Sequence, residues 1–283
     1  MLLIILTLIC EYVKIIFEVS DSMGFEIIDF HTHPFFDNKN NICSYKDSYE
    51  MNAKSTLEEF KKLGVSKICG SVIDTEAYTK DENYWKIVKN NNDTALKLKE
   101  FYGDFYIPGF HVHPSYMEES LNEIKRMSKI GVKLIGELVP YVDGWDNYSS
   151  DEFSVLLDEA GKHNMIVNFH SQGEDEMDEM VKKHKDIIFV AAHPGEYKEF
   201  MRHIERMKMS ENYYLDLSGY GIFRYGMLRR AIDTFGIDRI LFGSDYPTCN
   251  PGMYIGGVLF DRLITDSERE KIFSLNAKKL LGI

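Results

Sequence analysis

From residue 23 onward the chain alternates short apolar runs with longer stretches in which apolar side chains recur every three or four positions. The short runs are "FEIIDFH", "SKICGSVI", "FYIPGFHV", "VKLIGELV", "MIVNFH", "IIFVAAH", "YYLDLS" and "RILFGSD". Near-continuous apolar runs of this length are what strands buried on both faces require. The stretches between them include "STLEEFKKLG", "SYMEESLNEIKRMSKIG", "SSDEFSVLLDEAGKH", "EDEMDEMVKKHK", "EYKEFMRHIERMKM" and "YGMLRRAIDTFG", whose spacing predicts amphipathic helices covering a sheet. Several begin near Ser or Asp and end in Gly or Lys, as capping and the helix dipole favour. A strand followed by a helix, eight times over, predicts an α/β fold, a single-domain (β/α)8 TIM barrel. An open doubly wound sheet stands second, since neither GxGxxG nor a P-loop follows the first strand.

Residues 1–22, "MLLIILTLICEYVKIIFEVSDS", do not belong to this alternation. Their apolar run meets Glu11 too early for a spanning helix and lacks the basic start and small-residue cleavage site of a signal peptide. An amphipathic anchor and a helix packed under the fold are open readings. The favoured expectation is an N-terminal apolar extension upstream of a working start at Met23, with the barrel occupying residues 23–283.

Composition narrows the partners. A net charge of −12 and a pI near 5.3 repel phosphate backbones and anionic bilayers, which leaves a small-molecule substrate rather than nucleic acid, with no stable membrane insertion. Cys10, Cys43, Cys69 and Cys249 form no CxxC pair, so neither a zinc knuckle nor a disulfide framework is predicted, and a reducing cytoplasm is the expected location. Nothing fixes an oligomer; a homodimer is compatible.

The chemistry concentrates where the runs end. Residues two apart in a strand share a face, so Asp29, His31 and His33 of "IIDFHTHP" point together. By the same parity His170, His193 and Asp245 close the fifth, sixth and eighth runs, at the strand ends where barrel enzymes place their sites. Taken singly, a histidine before proline is more often a turn residue than a ligand; recurrence at four strand ends makes the set stronger than its members. Imidazole and carboxylate suit a divalent ion, with zinc first and manganese or iron as alternatives, and His31, His33, His170 and Asp245 are the predicted ligands. His193 is placed to move a proton, a role Asp245 can share. Glu137 in "LIGELVP" is a further candidate ligand that would bridge to a second ion held by His170 and His193; its plain alternative is a salt bridge to Lys133. One ion or two stays open. Asp29, a step deeper, is expected to support a ligand rather than be one.

Weaker candidates surround this set. His111 and His113 form a second HxH, of which one, His113, is expected to touch substrate, and Arg224 is a candidate clamp for a substrate carboxylate, though a surface arginine is the commoner outcome. His163, His184 and His203 lie in Lys- and Glu-rich helix patterns and are expected to be solvated. The acidic run "EDEMDEM" reads as a solvent face at a helix start rather than a calcium loop.

Together "DFHTH", "GVKLIGE", "AAHPG", "LFGSDYP" and the closing "NAKKLLGI" resemble the amidohydrolase superfamily, in particular its amidohydrolase-2 branch of metal-dependent hydrolases and decarboxylases, over nearly all of residues 23–283. The resemblance implies His31, His33, His170 and Asp245 as barrel ligands and His193 as the residue that orients or activates water. Glu137 departs from the mononuclear decarboxylases of that branch and is closer to the Gly-Glu pair of TatD-type deoxyribonucleases, which opens the metal count. The acidic balance and "SDYP" point away from a nuclease, and no lysine ends the fourth strand to be carboxylated. The expected activity is metal-dependent hydrolysis of an ester, lactone or amide bond in a small anionic substrate. A non-oxidative decarboxylase is the runner-up, and a catalytically inactive binding barrel the alternative from another class.

Overall fold

The apolar runs form strands β1 Ile27–Thr32, β2 Val65–Gly70, β3 Tyr106–Phe110, β4 Leu134–Leu138, β5 Ile166–His170, β6 Ile188–Ala192, β7 Tyr213–Asp216 and β8 Ile240–Leu241. In the computed structural model, which describes residues 24–283 apart from 45, 47–49, 74–83, 146 and 222–223, these strands pair in parallel and in chain order from β1 to β8. The predicted extension at residues 1–22 lies outside the described residues. Backbone bonds close the circle: Phe30 N–H donates to Phe242 O at 2.8 Å, Asp245 N–H to His31 O at 2.9 Å, and His33 N–H to Tyr246 O at 2.6 Å. The fold is the predicted (β/α)8 barrel.

Helices α1 Ala53–Lys62, α2 Tyr84–Tyr102, α3 Met117–Lys129, α4 Asp151–Lys162, α5 Glu174–Lys183, α6 Tyr197–Met209, α7 Met227–Phe235 and α8 Pro251–Leu259 follow the strands. Their starts are set by local chemistry. Asn52 and Ser55 form a reciprocal capping box at α1, and the Ser150 hydroxyl accepts from Phe153 N–H at 3.1 Å to start α4. Among the described residues no helix is long and apolar enough to cross a membrane.

Two buried apolar clusters result. The larger joins outward strand residues such as Ile135, Phe169, Phe189, Ala191 and Leu215 to helix residues such as Phe60, Ile124, Leu156 and Ile204. The smaller is almost wholly strand-borne, Ile28, Phe30, Cys69, Leu134, Ile166, Val190 and Leu241, with Ala277 of the closing helix Asn276–Leu281 beneath it. It fills the barrel and supports the strand ends from below.

Several expectations are corrected. Helix α2 is absent from the predicted stretches because "KNNND" interrupts its apolar period; Asn92 is buried there, accepting from His111 N–H at 2.7 Å and donating to His111 O at 3.0 Å. His184 and His203 are buried, not solvated. Each meets a hydroxyl from a neighbouring element, His184 Nε2 at 2.8 Å from Ser154 Oγ and His203 Nδ1 at 2.8 Å from Tyr213 Oη. His163 is partly exposed beside Ser128 and Glu159. The acidic start of α5 is less solvent-facing than expected, since Glu174 and Asp178 pair with the fully buried guanidinium of Arg206 on α6.

Candidate metal centre

Strict alternation along β4 would send Glu137 outward with Ile135, and along β6 would send His193 outward with Ala191. Neither happens. The β4–β5 register breaks between Ile135 and Leu138, where Gly136 has φ +90°; a Cβ there would lie 2.1 Å from Asn168 O, so only glycine fits. His193 lies one residue past β6 with φ +69°, and Asp245 four past β8 with φ +62°. Left-handed backbone at such side chains costs on the order of 1–3 kcal/mol and persists where surrounding structure imposes it, typically at functional sites.

These turns gather the predicted groups around Glu137. Its Oε2 lies 3.3 Å from His31 Nε2 and 3.2 Å from His33 Nε2. Its Oε1 lies 3.0 Å from His170 Nδ1 and 3.3 Å from His193 Nε2. Asp245 Oδ1 joins the first pair, 3.7 Å from His31 Nε2 and 3.4 Å from His33 Nε2. Lys133 takes no part; it borders an apolar groove of about 380 Å³ with Pro108, Leu134 and Leu281, away from the histidines.

Proton inventory shows what the first pocket accepts. His31 Nδ1–H donates to Asp216 Oδ2 at 2.9 Å, and His33 Nδ1–H donates to the Ser71 carbonyl at 3.2 Å. Carboxylate and carbonyl oxygens only accept, so in the neutral rings both Nε2 atoms present lone pairs, 3.2 Å apart. Two imidazole lone pairs and two carboxylate oxygens then converge with no hydrogen to share, a donor set that fits a cation. The same carboxylates favour positive charge here, whether as a proton on His31 or as a cation that takes its place. Burial works against a charged His31, yet the carboxylates of Asp216 and Glu137 outweigh it and hold its pKa well above the usual histidine range. Burial would raise Glu137, but the charge of His31 and the bonds from His170 and His193 hold it well below the usual carboxylate range.

The second pocket uses Glu137 Oε1, His170 and His193. Ser218 Oγ lies 3.1 Å from His193 Nδ1 and 3.0 Å from His31 Nδ1, while its hydroxyl donates to Asp216 Oδ1. Asp216 and Ser218 therefore orient one ring in each pocket. A Cβ on Gly219, at φ +65°, would fall 2.0 Å from His193 Nδ1, so this ring packs directly on glycine backbone. Neither Asp216 nor Ser218 was a predicted site residue; a lone aspartate at the end of "YYLDLS" was the available signal. Asp216→Ala should weaken metal binding about 10- to 100-fold by freeing the His31 ring, as measured by competition with a chelator of known affinity.

The remaining candidates are placed otherwise. The Asp29 carboxylate accepts from His31 N–H at 3.2 Å and Ser244 N–H at 3.0 Å, fastening β1 to the segment after β8 rather than touching a ring, and burial pushes its pKa up to about 7. His113 Nε2–H donates to Asp143 O at 2.8 Å and its Nδ1 accepts from Ser115 N–H at 3.1 Å, so both ring nitrogens are engaged by backbone. His111 lies nearer the metal pocket, Nε2 at 2.9 Å from Ser71 Oγ, and burial pushes its pKa down to about 4. Arg224 is exposed and paired with Glu196, outside the lining of the cavity over Glu137. That cavity measures about 340 Å³, and His33, Glu137, His170, His193 and Asp245 are in its wall.

A parallel eight-stranded barrel with imidazoles and carboxylates converging at its strand ends defines a TIM barrel with a candidate metal site. Its family is identified by sequence: the amidohydrolase-2 family model matches residues 28–283, and the chain belongs to that family. No curated protein matches the sequence. Solved structures with a similar fold include a 2,6-dihydroxybenzoate decarboxylase from Rhizobium, 16% identical with TM-score 0.74, covering 91% of this chain and 99% of that one. A dihydroxybenzoic acid decarboxylase from Polaromonas sp. JS666 with bound manganese and 2-nitroresorcinol is 13% identical with TM-score 0.68, covering 91% and 97%. A "probable 2-pyrone-4,6-dicarboxylic acid hydrolase" from Acinetobacter baumannii with bound citric acid is 15% identical with TM-score 0.64, covering 92% and 100%. At these identities the likeness is one of fold.

Proposed function

We propose that this protein is a metal-dependent hydrolase of small molecules, cleaving an ester, lactone or amide bond, in which His31, His33, Asp245 and Glu137 would hold one divalent ion and His170, His193 and Glu137 a second. One observation carries the reading: the two oxygens of Glu137 face different imidazole pairs, His31 with His33 and His170 with His193. Asp245 completes the first pocket. The nitrogen and oxygen donors favour zinc, with manganese or iron as alternatives. Bound there, a divalent cation supplies Lewis acidity and lowers the pKa of water toward ~7.

The chain's own groups supply the rest. Asp216 and Ser218 fix the His31 and His193 rings, and Glu137 sets the spacing of the two pockets. Asp245, held by the left-handed turn after β8 and lining the cavity, is assigned to receive the proton of the attacking water and pass it to the leaving oxygen or nitrogen. The balance is simple: the water oxygen bonds to the acyl carbon, the C–O or C–N bond breaks, and the proton goes to the leaving group. His193, predicted as a proton carrier, serves in this reading through Nε2 as a ligand of the second pocket. The chain acts in a reducing cytoplasm.

Non-oxidative decarboxylation is the second reading, favoured by the names of the Rhizobium and Polaromonas neighbours. A panel of esters, lactones, amides and aryl carboxylates, offered to zinc- or manganese-loaded protein, separates the two. Acid release without gas is expected; carbon dioxide without a hydrolysis product would overturn hydrolysis.

A further inference from the structure

We infer that the substrate presents an uncharged, apolar group beside the scissile bond, in place of the anionic group expected from the sequence; this rests on the hydrolytic reading above. Beyond its ionisable floor, the cavity over Glu137 is lined by Ile42, Ile73, Val139, Tyr141, Val142 and Thr248. Among the described lining residues there is no lysine or arginine. Arg224, the candidate carboxylate clamp, is engaged by Glu196 at the surface, and His113 has both ring nitrogens committed to backbone.

A distal carboxylate in this space would give up hydration against Ile42, Ile73, Val139 and Val142, which return no hydrogen bond, and would meet only the neutral hydroxyls of Tyr141 and Thr248 among the described wall residues. Among the described lining residues, charged compensation exists only at the floor, which the reacting carbonyl occupies. The net charge of −12 adds a field that disfavours anions. An alkyl or aryl group, by contrast, meets matching surface. The Tyr141 ring stands edge-on to His170, centroids 5.2 Å apart at 67°, and gives such a group an aromatic neighbour next to the second pocket. A volume of about 340 Å³ suits a small acyl group with its leaving group.

The test uses the full-length, zinc- or manganese-loaded protein and two substrates of nearly equal length, 4-nitrophenyl butyrate and 4-nitrophenyl hydrogen succinate. The neutral ester should be favoured by about tenfold or more in kcat/KM, because neutral hydroxyls and aliphatic side chains compensate the desolvation of the succinyl carboxylate poorly. Val142→Arg, which places a cation in the wall without touching the metal pockets, should shrink that preference by about tenfold. Equal rates, or a preference for the succinate, would overturn the inference while leaving hydrolysis intact. Calorimetric binding of butyranilide and succinanilic acid decides the same point without turnover. Tighter anilide binding supports the apolar wall and tighter acid binding overturns it, even if carbon dioxide release has by then removed the hydrolytic reading.

Discussion

Glu137→Gln should lower kcat/KM for hydrolysis by about 10³-fold, since a metal centre supplies several kcal/mol of transition-state stabilisation and each ~1.4 kcal/mol is tenfold in rate. The same variant should hold one divalent ion or fewer per chain. Glutamine preserves the shape of the side chain but replaces one anionic oxygen by an NH2 group, which cannot ligate. Whichever way the amide turns, one imidazole pair loses its carboxylate oxygen, His31 with His33 or His170 with His193. Kinetics on a cleaved ester and elemental analysis of the purified variant report the two effects separately. Full activity with unchanged metal content would place Glu137 outside the chemistry.

His193→Ala is expected to abolish turnover, by about 10²-fold or more, while one ion remains bound. The asymmetry follows from the donor sets. Among the described residues the second pocket has His170, His193 and one Glu137 oxygen, and loses a third of these donors; the first keeps His31, His33, Glu137 and Asp245. Loss of all metal in this variant would mean that the pockets fill only together. Because Ser218 Oγ contacts both His193 and His31, the variant also relaxes the first pocket. Combining it with Glu137→Gln should therefore cost much less than the sum of the single effects.

Much of this was legible in the chain. The strand runs gave the barrel because buried parallel strands are near-continuously apolar, and "DFHTH" with "LFGSDYP" marked the two strand ends that meet at the seam. Period-two reasoning named His193 as a candidate and its place at a strand end named Glu137, yet the physical cause of their inward placement lies in backbone that periodicity does not describe. Gly136 at φ +90° and His193 itself at φ +69° turn these side chains away from the faces of Ile135 and Ala191. Groups that orient ligands were harder to see. Asp216, Ser218 and Ser71 act through atoms brought together from different strands, so nothing local distinguishes them from ordinary strand-end polar residues. The reverse failure befell His203, expected in solvent but buried against the hydroxyl of Tyr213 from another part of the chain. Helix α2 was hidden because its buried Asn91 and Asn92 occupy positions that a hydrophobic period counts as polar.

Anomalous diffraction from crystals of the manganese- or zinc-loaded protein tests directly whether Glu137 is shared between two metal pockets. Two peaks are predicted, one among His31, His33, Asp245 and Glu137 Oε2, the other among His170, His193 and Glu137 Oε1. A single peak in fully loaded crystals, with Glu137 beyond ligation distance, would contradict that sharing.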